Sequence, residues 1–505
     1  MNIKKLLFPA LLVGAVLALI HRLFAKPAAT TPVSMDASYD AIDAYIAEQL
    51  RRLNIPGACL AIVEGDRMVH LRGFGKARPG GEVPGPQTPF FIGSLTKSFT
   101  ALAVMQLVEA GKVELDAPVK RYLPWFRVAD PQASARITVR HLLNQTSGLP
   151  VWRGLADLGN FDRRLDTAER QVRAFSNLKL SHPVGSKFEY TNSNYNVLGL
   201  IVEAASGEMY ADYIQNHVFN PLEMRRSYSS KVAARQYGLA VGHRYWFGHP
   251  VPDPNLDIPL SSLASGQLIS SAEDMAHYLI ANLNGGRYNG AQILSEAGLA
   301  EMHRGAVEWR EMGNLIGHYG MGWISQGTGE TRIVSHSGIV PDFSAFMALV
   351  PGQKKGIVLL INANHAMMKI TFDEVGINAA RLLAGESHPS TRSGIAIWVM
   401  RAMLLIPLIQ IAGVAATLRR LRGWRADPET RPSSGRMWRQ HILLPLIPNL
   451  LTALTLVPVL GKMGGFIRLF MPDFSWIALI CGSFAGIWSF LRTGLILRTL
   501  RKPRA

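Results

Sequence analysis

Apolar and polar positions follow two rhythms and then none. Over Tyr39–Leu53 the apolar residues recur at helical spacing. The stretch "GACLAIVEGDRMVHLRGFGKA" then reads as two strands that turn back on each other at Gly65-Asp66. A long, mainly helical middle follows. After it come "GMGWISQ", "TRIVSHSG", "SAFMALVP" and "GIVLLINAN", strand-like runs separated by turn residues, and a closing helix over residues 371–384. Strands at both chain ends with helices between them predict an α/β (α+β) unit, an antiparallel sheet assembled from the two ends and flanked by a helical subdomain.

Beyond residue 390 the periodicity gives way to continuous apolarity at residues 395–418, 442–460 and 476–497. Each stretch approaches the ~20 residues that cross a bilayer core, which predicts three transmembrane helices. Arg401 and Arg492 lie close enough to the ends to reach the interface. At the other terminus, "MNIKK" precedes an apolar run at residues 6–20 in the manner of an export signal, which is cleaved or retained as a fourth span. Three regions follow: residues 1–26 as signal peptide or anchor, 27–387 as an exterior domain and 388–505 as a membrane domain.

Composition agrees, with 48% hydrophobic residues and a mean hydropathy of +0.12. The net charge of +17 would suggest a nucleic-acid partner if it were spread over the chain. It is not: residues 27–391 contain 33 basic and 33 acidic side chains, and the excess sits beside the apolar segments. Seven arginines crowd residues 419–440, whereas residues 461–475 carry only Lys462 and Arg468. The positive-inside rule therefore places the arginine-rich connector and the basic tail in the cytoplasm and residues 27–387 outside it, at a bacterial inner membrane. No nucleic-acid partner is expected. The two cysteines, Cys59 and Cys481, fall in different regions and predict no disulfide. No Cys/His cluster or glycine-rich phosphate loop calls for a metal or another cofactor.

The candidate chemistry begins at "FIGSLTKSFTALAVMQLVEAG". Ser94 follows a strand-like run and opens an apolar helix, so that Lys97, one turn on, lies on the same face. A second Ser-x-x-Lys, at Ser176 and Lys179, runs into a His-Pro loop and lacks that helix. A serine hydroxyl needs a base within about 3 Å to act as a nucleophile. A lysine can supply it, alone or with a tyrosine. The chain's single Tyr-x-Asn, Tyr190-Thr191-Asn192, stands in a loop before a helix expected at residues 195–205. His-x-Gly occurs at His303, His318 and His336; of these, His303 is assigned to a polar helix or loop and His318 to a glycine-rich turn. His336-Ser337-Gly338 alone is expected within a strand, where glycine lets a substrate backbone lie close.

Ser94-Leu95-Thr96-Lys97, Tyr190-Thr191-Asn192 and His336-Ser337-Gly338, in that order, resemble the three active-site elements of the serine β-lactamase and penicillin-binding-protein superfamily. The Tyr-x-Asn form points to its class C, D-alanyl-D-alanine carboxypeptidase and esterase branch, peptidase family S12. The likeness covers about residues 38–385 and implies a β-lactamase-like fold and an acyl-enzyme mechanism. On that resemblance Ser94 attacks a carbonyl, and Lys97 and Tyr190 share the acid–base work. Asn192 binds the substrate amide, His336 stands where many relatives have lysine, and the N–H groups of Ser94 and Ile339 form an oxyanion hole. A neutral histidine there weakens the case for substrates with a carboxylate, β-lactams included. Trp152, Phe188 and Trp246 are candidate pocket walls, and Asp342 stands where relatives often have glycine. An exported hydrolase followed by three spans is also similar to the membrane-anchored prodrug-activating peptidases, colibactin-maturing peptidases among them, which remove an N-acyl-D-amino-acid cap. The expected partner is a small-molecule or peptide substrate. An esterase or a peptidoglycan-directed D,D-peptidase or β-lactamase is the alternative within the class, and a sensor acylated once without turnover is the alternative of a different class.

Overall fold

The computed structural model describes residues 39–501 apart from 163, 165, 312, 313 and 387–393. The export segment expected at residues 1–26 lies outside the described residues. Helix α1 (Tyr39–Leu53) buries Ile42, Ile46, Leu50 and Leu53 along one stripe, and Glu48 pairs with Arg51 and Arg52. It leads into β1 (Gly57–Glu64) and β2 (Arg67–Gly75), which turn at Gly65, φ 57°. Six strands from the far end of the domain complete the sheet: β3 (Val307–Glu311), β4 (Asn314–Gly320), β5 (Trp323–Gln326), β6 (Ile333–Val340), β7 (Phe343–Val350) and β8 (Lys355–Ile361). The order is β2-β1-β8-β7-β6-β5-β4-β3, with every neighbouring pair antiparallel. β8, last in sequence, docks against β1 from Ala58↔Ile361 to Glu64↔Lys355.

The two-residue period of the central strands divides the core in two. Ala58, Leu60 and Ile62 of β1, with Ile357, Leu359 and Ile361 of β8, face α1 and the closing helix α5 (Lys369–Leu383). Cys59, Ala61 and Val63, with Val358 and Leu360, face a larger core shared with the helical subdomain. That subdomain contributes α2 (Thr96–Glu109), α3 (Asn192–Ser206) and α4 (Ala272–Leu283). Each fully buried Leu or Ile contributes roughly 1.5–3 kcal/mol, so sheet and helices are held together on both faces.

Three differences from the sequence reading bear on the site. Helix α3 begins at Asn192 rather than near residue 195, because the Thr191 hydroxyl caps it by accepting from the Ser193 N–H. Ser94 lies in a 3-10 turn, Gly93–Leu95, that feeds α2. His318 is in strand β4 rather than a turn, and His303 is buried at the end of helix Glu296–His303.

Among the described residues three helices are long and apolar enough to cross a membrane: Ile395–Ala426, Ser434–Leu460 and Pro472–Thr499. The first runs on through Arg419–Arg425, so part of the basic connector is helical. The third starts early enough to hold Asp473 in its first turn. Arg492, expected to reach the interface, is instead buried and donates to Thr417 Oγ1 of the first span at 3.1 Å.

Candidate functional site

Gly93 and Gly338 bring α2 and β6 together. A Cβ on Gly338 would lie 2.1 Å from the Ile92 carbonyl oxygen, and one on Gly93, φ 55°, would lie 2.5 Å from the Ile339 nitrogen. Only glycine permits that approach, and it places the Ser94 and Ile339 backbones side by side. β5 pairs with β6 only as far as Ser335. From His336 onward, β6 therefore turns an edge toward the cleft.

Ser94 is half-buried among wholly buried neighbours, and no helix cap is made by its hydroxyl. The Lys97 side chain is fully buried, with its Nζ 3.0 Å from Ser94 Oγ, 2.7 Å from Asn192 Oδ1 and 2.6 Å from the Ser265 carbonyl oxygen. Nζ also lies 4.9 Å from the centre of the Tyr190 ring. Among the described residues no carboxylate joins these contacts, and burial pushes the amine well below its ordinary pKa. Burial, reinforced by Tyr319, raises the Tyr190 phenol well above its ordinary value; its hydrogen bond with Ser94 acts in the opposite sense. Burial thus disfavours the charged form of both groups.

In its neutral form the Lys97 amine has two N–H donors and one lone pair. The Ser265 carbonyl and Asn192 Oδ1 can only accept, so they take the two donors, and the lone pair is left for the Ser94 hydroxyl.

His336 is buried, and desolvation together with the nearby Lys97 lowers its pKa to about 3. Its Nδ1 lies 2.6 Å from the Ser337 carbonyl oxygen, which can only accept, so Nδ1 carries the proton. Nε2 is then a bare acceptor without a partner among the described residues.

Ser94, Tyr190, Asn192 and His336 open into a cavity of about 450 Å³ whose lining also includes Ser337 and Ile339. Val151, Leu155 and Leu158 form one apolar flank, Phe188 and Trp309 a second, and Phe466, Leu469 and Phe470 a third. The last three belong to the segment between the second and third spans. Of the expected pocket aromatics, Phe188 is in place. Trp152 instead packs under Lys462, 4.4 Å from its ring centre, and Trp246 is in a strand away from the cavity. Asp342 is wholly buried in an ion pair with Arg244, at 2.6 and 3.0 Å, and does not reach the cavity. The second Ser-x-x-Lys keeps Lys179 exposed.

Residue type could not reveal the Ser265 carbonyl, since any residue offers one. Gln145, φ 59°, was also missed. Its side chain accepts from the Thr191 N–H at 3.0 Å, and its carbonyl accepts from the Glu189 N–H at 2.9 Å, which fixes the chain on both sides of Tyr190. Its only sequence signal is the phrase "ITVRHLLNQTSGLP".

An antiparallel sheet flanked by helices, with serine, lysine and tyrosine at the junction of sheet and subdomain, defines the class of β-lactamase-fold serine hydrolases. The chain belongs to the Beta-lactamase family, whose model matches residues 42–380. It is similar to Protein flp of Staphylococcus aureus strain MW2, 30% identical over 340 residues, 65% of this chain and 64% of that protein. It thus spans somewhat under two thirds of that relative's length. Penicillin-binding protein 4 of Amycolatopsis lactamdurans is 30% identical over 345 residues, 66% of this chain and 88% of that one. Among solved structures, the octameric penicillin-binding protein homologue from Pyrococcus abyssi superposes with a TM-score of 0.60 at 28% identity, over 69% of this chain and 78% of that one.

Proposed function

We propose that this chain is a membrane-anchored extracytoplasmic serine hydrolase that works through an acyl-enzyme on peptide, amide or ester substrates, of the S12 prodrug-activating peptidase type. Its hydrolase domain occupies residues 27–387 and its membrane domain residues 388–505. The observation that carries this reading is the desolvated Lys97 amine, 3.0 Å from Ser94 Oγ with its other contacts assigned to acceptors. In this reading Lys97 is the first base. Ser94 Oγ attacks the carbonyl carbon as its proton passes to Lys97, and the N–H groups of Ser94 and Ile339 receive the oxyanion, each donor worth ~3 kcal/mol. The bond to the leaving group then breaks. That group takes a proton from Lys97, directly or through the Tyr190 phenol, and water later releases the acyl group from Ser94. Asn192 uses its oxygen for Lys97 and its amide N–H groups for the substrate carbonyl.

Two features support substrates of the prodrug type over β-lactams. Nε2 of His336 offers a lone pair, which suits an N–H or O–H donor and repels a carboxylate. The apolar cavity is bounded partly by the membrane domain, which suits an amphiphile with an acyl tail. A fluorophosphonate probe should label the wild type at Ser94 and leave Ser94→Ala unlabelled although folded; equal labelling of the variant would refute the assignment. Repeated turnover of a D-aminoacyl amide or ester is expected, and a single stoichiometric burst would replace the hydrolase with a sensor.

A further inference from the structure

The third flank of the cavity comes from helix Gly464–Phe470, outside the hydrolase fold, and something must hold it there. Three contacts do so. The Gly159 and Gly465 backbones touch, since a Cβ on Gly465 would lie 3.0 Å from the Gly159 Cα. Lys462 covers Trp152. The third contact is buried and polar: Asp473, three residues past Phe470, and His365, just before α5, both have fully buried side chains.

His365 Nδ1 accepts the Met367 N–H at 3.2 Å, so Nε2 carries the proton and donates it to Asp473 Oδ1 at 2.9 Å. Oδ1 also accepts the Phe474 N–H at 2.7 Å, and Oδ2 accepts the Phe247 N–H at 3.0 Å. Phe247, φ 50°, and Gly248, φ 79°, form the turn between strands Gly242–Trp246 and His249–Asp253. One carboxylate thus joins the start of a span, that hairpin and the segment leading into α5. Replacing it strands buried donors.

We propose that Asp473 and His365 are positioning residues that latch the segment between the second and third spans onto the hydrolase domain as a fixed wall of the cleft. Through that wall they set selection for substrates with an apolar tail. The proposal rests on the hydrolase reading and deepens it: Ser94, Lys97 and Tyr190 suffice for acyl transfer, and the latched wall supplies tail recognition.

The test uses full-length protein in nanodiscs, fluorophosphonate labelling, and p-nitrophenyl esters from acetate to dodecanoate. Asp473→Ala and His365→Ala should label as the wild type does and turn over the acetate unchanged. For the dodecanoate their KM should rise about tenfold with kcat held, the pattern of a lost binding contact. The double variant should be no worse than either single one, as expected for residues acting as one unit. If Asp473→Ala does not accumulate, Gly465→Val, which pushes the same helix off Gly159, should give the same KM change. Unaltered chain-length preference in a normally labelled variant overturns the latch. Failure of wild-type labelling overturns the hydrolase reading instead, so the two failures are distinguishable.

Discussion

His336 shows how a single side chain can redirect a conserved-looking arrangement of groups. Its protonated Nδ1 is held by the Ser337 carbonyl, which leaves Nε2 as a buried acceptor in want of a donor. A lysine in its place would present a cation. His336→Lys should therefore raise the rate of acylation by a carboxylate-bearing penicillin probe about tenfold or more, the worth of one charge-assisted hydrogen bond. It should lower turnover of neutral D-aminoacyl amides; paired acylation rates for the two substrates check both signs. At this scale the sequence singled out Ser94, Lys97, Tyr190 and His336 by side-chain type and spacing, and the structure brings them together. It was silent on Ser265 and Gln145, because a backbone carbonyl carries no residue signature and a glutamine in a positive-φ turn looks like any loop glutamine.

Among the elements, the turn between β6 and β7 depends on Asp342. Burial raises its pKa to about 7, while Arg244, also bonded to Asp253, pulls the other way. A carboxyl whose folded pKa lies above its unfolded value, ~3.9, favours folding while protonated. Its contribution is complete below pH ~4 and lost as the pH rises through about 7. Asp342→Asn should flatten that part of the stability profile, measured by urea unfolding between pH 4 and 8. Elements with clean periodicity, such as α1 and the β1–β2 hairpin, were legible at nearly their observed bounds. The edge hairpin of β3 and β4 was not, because "VEWRE" and "NLIGHYG" mix charge with glycine and carry no continuous apolar face. It nevertheless supplies Trp309 to the cavity. The start of α3 was misjudged for a comparable reason: a threonine cap in a polar run gives a weaker boundary signal than the apolar residues that follow.

For the whole molecule, the orientation proposed from the charge asymmetry of the connectors is one that cysteine labelling can read. Cys59 and Cys481 are both buried, so introduced thiols report alone. Glu82→Cys, on the exposed surface of the hydrolase domain, should react with an impermeant maleimide on intact spheroplasts. Ser433→Cys, in the basic connector, should react only after lysis. The reverse pattern would invert the topology. That three apolar helices follow the sheet-and-helix unit was plain from hydropathy. That the two share a cavity was not, because Phe466 and Phe470 look in sequence like ordinary residues of a short connector.

The sheet that begins with β1 is finished by β8, and the serine turn at residue 94 meets the strand around residue 338. A ribosome makes these parts in order, N-terminal end first, so a half-emerged chain carries a serine with no oxyanion partner and a β1 with one side unpaired. Reactivity then arrives late, once the last strands have been made. Because Phe470 arrives later still, the cavity gains its third wall only after the site itself is assembled, and a chain stalled between the two would carry a complete site with one side of its cleft open.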